Sequence, residues 1–135
     1  RGLGLGRRRM LNRVFAKLET SPSQEKVVVE AVDSVEAALR GLREELAWSR
    51  GELARLLREE TPGPGAIEGL HARQEVAVAE LHRRFGEAFE SVHATLDRDQ
   101  RAVLARLVER GPCAGRAFRR PHHEPRGPYR DAASA

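Results

Sequence analysis

The chain has 135 residues, of which 33% are charged and only 4% aromatic, and its mean hydropathy is −0.55. That length holds one domain and excludes a multi-domain enzyme, while no stretch approaches the roughly 18 apolar residues of a membrane span. The single cysteine, Cys113, excludes an internal disulfide and a Cys-pair zinc site.

The net charge of +4 is unevenly spread. Residues 1–20 carry six basic side chains against one acidic, and residues 111–135 five against two; the stretch between has thirteen against seventeen. An acidic body thus sits between two basic flanks. Residues 1–9, with Gly2, Gly4, Gly6 and Arg7-Arg8-Arg9, read as a flexible basic segment. Met10, Leu11, Val14, Phe15 and Leu18 then mark one short amphipathic helix.

A long helix is predicted from Pro22 to about Glu60. Ser21 is its N-cap, Pro22 takes the first helical position, and Gln24 completes a capping box. Its seam steps by four and three through Val28, Val32, Val35, Leu39, Leu42, Leu46, Ser49, Leu53 and Leu56, broken only by Ser49. Gly41 and Gly51 lie inside and are expected to bend it locally. Thr61-Pro62-Gly63-Pro64-Gly65 is a short stop, so a second helix from about Ala66 to Leu96 must return antiparallel. The stripe of that helix is Ile67, Leu70, Gln74, Val78, Leu81, Phe85, Phe89, Val92 and Leu96.

Asp97 and Gln100 form a second capping box, opening a helix with Val103, Leu104, Leu107 and Val108 inward, stopped at Gly111-Pro112. Residues 10–110 are the helical domain, and 111–135 an Arg-, Pro- and His-containing disordered tail. The fold class is all-α: a long antiparallel hairpin plus two short helices. A helix of 39 residues extends about 58 Å, whereas a compact chain of this length is roughly 37 Å across, so burying the seam calls for a second copy and a homodimer.

The two helix starts resemble those of the Spy/CpxP family of bacterial envelope proteins and its heavy-metal-sensor relatives, which carry two Leu-Thr-x-x-Gln motifs. The second copy is Leu96-Asp97-Arg98-Asp99-Gln100, with Asp in place of Thr. The first, Leu18-Glu19-Thr20-Ser21-Pro22-Ser23-Gln24, keeps Leu18, Thr20 and Gln24 around two extra residues. The resemblance implies a four-helix, cradle-like protomer, an antiparallel dimer and a periplasmic location, with the option of a tether through an anchor upstream of Arg1. It implies ATP-independent holding of unfolded or aggregation-prone proteins, or sensing of stress or metal beside a membrane-bound signalling partner. Arg7-Arg8-Arg9 directly after such an anchor would instead favour retention inside.

Trp48 lies off the seam and has two readings: an exposed client contact, or a residue packed on the N-terminal helix or a second protomer. His71, His82 and His93 recur every eleven residues, about 16 Å apart on one line, so they cannot share an ion. Glu75 is one turn from His71, and Glu90 precedes His93 by three; each pair could contribute to a Zn, Ni or Cu site across a dimer axis. His82 has no carboxylate at that spacing. Cys113, His122 and His123 offer a loose metal-capturing tail, and Cys113 a cross-link between protomers. Solvated histidines are the alternative throughout, and no resident cofactor is expected. There is no phosphate-binding glycine loop, no His-Glu-x-x-His and no nucleophilic triad pattern, so an enzyme is not expected. The acidic body also opposes nucleic-acid binding by the basic ends. A coiled-coil adaptor is the remaining alternative.

Overall fold

The computed structural model describes residues 3–111. They form four helices: α1 (Leu3–Leu18), α2 (Pro22–Arg58), α3 (Ala66–Thr95) and α4 (Arg98–Arg110). All the regular structure among the described residues is helical. The long helix α2 packs along α3 as an antiparallel hairpin, and α1 meets α4 at its open end.

Local chemistry sets these boundaries. Ser21 and Asp97 cap α2 and α4 with complete capping boxes, and Pro22 supplies the fixed φ of the first turn. At the hairpin tip Gly65 takes φ 80°, a left-handed conformation that glycine reaches without a Cβ clash, and α3 starts there. Glu19 ends α1 at φ 52°. The Thr20 amide then donates to the Phe15 carbonyl at 3.4 Å, the long-range bond of a Schellman ending.

The first short helix starts at Leu3 rather than Met10, taking in residues that composition assigned to a flexible basic segment. Arg7 gives the reason. It reaches across to α2, where it pairs with Asp33 and lies 3.4 Å from Glu36. That anchor holds a glycine-containing turn that propensity alone would leave frayed. The expectation of a disordered tail beyond Gly111 concerns residues outside the described ones.

The seam of α2 also differs from its predicted line. The buried residues are Val28, Ala31, Ala38, Ser49 and Leu56. Ser49, expected as the break, lies at the centre, whereas Leu46 and Leu53 are 43% and 44% exposed. At 100° per residue the buried line is rotated by about 40° from the expected stripe. The small Ala31, Ala38 and Ser49 share the buried line with Val28 and Leu56, and Leu46 and Leu53 lie at its edge. The core is correspondingly thin: no side chain among the described residues is fully buried. Helix α2 continues unbroken through Gly41 and Gly51.

Candidate functional site

Two regions carry the residues that the sequence singled out. The first is the junction at the open end. Leu18 and Leu96 are its most buried side chains, each 4% exposed. Gln24 Nε2 donates to the Thr95 carbonyl at 2.7 Å, and Gln100 Nε2 donates to the Leu18 carbonyl at 3.2 Å. Each glutamine thus caps its own helix and also takes up a carbonyl at the end of another. Thr20 Oγ1 adds a bond to Glu25 at 3.1 Å. The motif residues are therefore the clamp that closes the four helices.

The second region is the hairpin itself, whose two sides differ. On one, Leu46, Ser49, Arg50 and Leu53 of α2 meet Ile67, Leu70, His71 and Gln74 of α3 around a groove of about 390 Å³. Ser49 Oγ is buried there without a hydrogen-bond partner. Farther along α3, Phe85 and Phe89 are 61% and 62% exposed. At 100° per residue Ile67, Val78, Phe85 and Phe89 fall within about 40° of one another, as do Leu39, Leu46 and Leu53 on α2. Each helix therefore carries an apolar ridge, and Leu46, Leu53 and Ile67 bring the two ridges together at the groove.

The other side is polar. Arg73 of α3 stacks over Trp48 with its guanidinium 3.6 Å from the ring centroid. The same guanidinium donates two hydrogen bonds to Glu45, at 2.9 and 3.0 Å, which lowers the Glu45 carboxyl pKa and raises that of Arg73. Trp48 keeps 40% of its surface exposed while a cation from the opposite arm stacks on its ring. Arg84 ties the arms again through Ser34 at 3.3 Å.

The metal candidates are dispersed. His71 borders the groove, while His71, Glu75, Glu90 and His93 are all exposed. Arg101 of α4 lies 3.3 Å from His93 Nδ1, and Phe89 is 5.8 Å from its ring. No group of three or more His, Cys, Asp or Glu side chains suited to a metal ion forms among the described residues. Cys113, His122 and His123 lie outside them. No helix of the described residues is long and apolar enough to cross a membrane.

Sequence reasoning missed Arg73, the burial of Ser49 and the meeting of the two motif glutamines. The duplicated capping box was the one signal that could have located the last of these. Against known families, the sequence model described as heavy-metal resistance matches residues 2–103. No curated protein and no solved structure matches the chain.

Proposed function

The chain belongs to the heavy-metal resistance family, within the Spy/CpxP-like helical superfamily, and from that premise we propose that it serves metal resistance in the periplasm by holding unfolded or aggregation-prone proteins without ATP. The observation that carries this reading is the paired apolar ridge, with Leu46, Leu53, Ile67, Phe85 and Phe89 all more than 40% exposed. A surface of that kind takes many unrelated apolar segments weakly, and long charged side chains such as Arg50 at its rim adapt to each. Heavy metals unfold proteins by seizing their thiols and imidazoles, so holding the products is itself a resistance activity. No reacting group is needed, and the protein works as a non-enzymatic homodimer, beside a membrane-bound stress-signalling partner.

A second reading, metal sensing or scavenging on the same scaffold, is favoured by the family description together with the one-turn spacing of His71 and Glu75. Exposed on one face, such pairs would need ligands from a second protomer to complete a four-coordinate ion.

Two measurements separate these readings. In the first, the full chain is added to an unfolding client without ATP and aggregation is followed by light scattering. Holding predicts suppression near equimolar ratio, weakened at least several-fold by Phe85→Ser/Phe89→Ser; no suppression at several-fold excess overturns it. Calorimetric titration with Zn²⁺, Ni²⁺ and Cu²⁺ tests the second. Binding tighter than millimolar that His71→Ala or His93→Ala removes supports sensing, and its absence discards it.

A further inference from the structure

We propose that the outward face of α1 is a docking surface for a membrane rich in anionic phospholipid. From Leu3 to Leu18 the helix holds five basic residues and no acidic one. Its inner side is accounted for: Leu11 and Leu18 are buried, Val14 and Phe15 half-buried, and Arg7 is engaged with Asp33 and Glu36. The other cations, Arg8, Arg9, Arg13 and Lys17, are exposed, and none forms an ion pair among the described residues.

Arg9, Arg13 and Lys17 follow one another at four-residue steps, so they form a row with about 6 Å between successive cations. Like charges at that spacing repel along a helix unless a counter-charge lies against them. Apolar side chains flank the row. Leu5, one turn before Arg9, is 68% exposed at the rim of a groove shared with Val29 and Asp33 of α2, and Met10 is 51% exposed. At 100° per residue Leu5, Arg9, Arg13, Lys17 and Met10 occupy one sector of about 140° opposite Leu11.

Charge alone would suit any polyanion. The flanking Leu5 and Met10 favour lipid, because a membrane surface offers phosphates to the cations and, just beneath them, acyl chains to the apolar pair. A polyanion without an acyl layer would satisfy the row and leave Leu5 and Met10 in water. The helix would lie along the interface, since it lacks the length and apolarity to span it.

The test is partition of the full chain onto sedimented vesicles of phosphatidylglycerol and phosphatidylcholine, compared with vesicles of phosphatidylcholine alone. Binding should require the anionic lipid and weaken steeply with salt. A cation near an anionic surface is worth roughly a fivefold change in partition, so Arg9→Gln/Arg13→Gln/Lys17→Gln should lower it roughly 100-fold. Arg40→Gln/Arg43→Gln/Arg58→Gln, an equal charge loss on α2, should lower it by less than about fivefold, and Leu5→Ser/Met10→Ser should lower it measurably with the cations intact. Circular dichroism confirms that each variant keeps its helices. Equal binding to both vesicle types, or equal losses from the α1 and α2 triple variants, overturns the proposal. So does a Leu5→Ser/Met10→Ser variant that binds as well as the parent while inorganic polyphosphate competes fully, since the face would then recognise anions without regard to lipid.

Discussion

The side-chain amides of Gln24 and Gln100, 76 residues apart, meet head to head: Gln24 Nε2 donates to Gln100 Oε1 at 2.9 Å, and Gln100 Nε2 donates to Gln24 Oε1 at 3.0 Å. Each Oε1 also accepts from the backbone N–H of its own cap residue, Ser21 or Asp97, at 3.0 Å. With the carbonyls of Thr95 and Leu18, both donors and both acceptor sites of each amide are used. The two glutamines make matching bonds: each reaches the other, its own cap amide and a carbonyl at the end of another helix.

Removing one member should therefore cost more than a single hydrogen bond. Gln100→Ala leaves the Leu18 carbonyl and the Gln24 amide short of partners in a part-buried place. A loss of about 2–3 kcal/mol in urea unfolding is expected. Gln24→Ala/Gln100→Ala should cost clearly less than the sum of the two single changes, because the same network is lost in each. Additive losses would show that the two amides act independently.

Backbone conformation supplies a second prediction. Glu19 sits at φ 52°, where a side chain is strained, so Glu19→Gly should raise stability by roughly 0.5–1 kcal/mol. Gly51 is the reverse case. It lies mid-helix, and a Cβ there would meet nothing within 4 Å. Gly51→Ala should therefore raise stability by about 1 kcal/mol. Thermal melts of the two variants read both signs.

Acid sensitivity should trace in part to Glu80. Hydrogen bonds from Arg83, and then from Arg84, hold its carboxyl down at about 2 from an ordinary 4.5. A folded-state pKa below the unfolded one stabilises the fold above pH 4.5, and that contribution disappears as pH falls from 4.5 through 2. Glu80→Gln should flatten the decline of melting temperature over this window. The carboxyl is exposed, so about 1 M salt should erase the difference between variant and parent.

Trp48 is the only tryptophan, which makes its fluorescence a reporter of the Arg73 stack. Arg73→Ala should shift emission to the red and raise acrylamide quenching while leaving helicity unchanged. Glu45→Gln, which loosens the guanidinium without removing it, should give a smaller shift in the same direction. An unchanged spectrum in Arg73→Ala would mean that the cation does not cover the ring in solution.

Much of the fold follows from short-range chemistry and was therefore present in the order of residues. Ser21-Pro22 and Asp97 mark helix starts, the Pro/Gly run at 61–65 marks the hairpin turn, and 4-3 periodicity selects helix over strand, because each depends on neighbours within about one turn. Three features required the arms to be brought together. Ser49 rather than Leu46 or Leu53 is buried, because which line of α2 meets α3 is a property of the pair and not of either helix. Trp48 is covered by Arg73, a partner that belongs to the opposite arm. The two motif glutamines cap local helices by themselves, but they meet only because the returning hairpin closes a loop of 76 residues, a distance across which local pattern carries no information about contact.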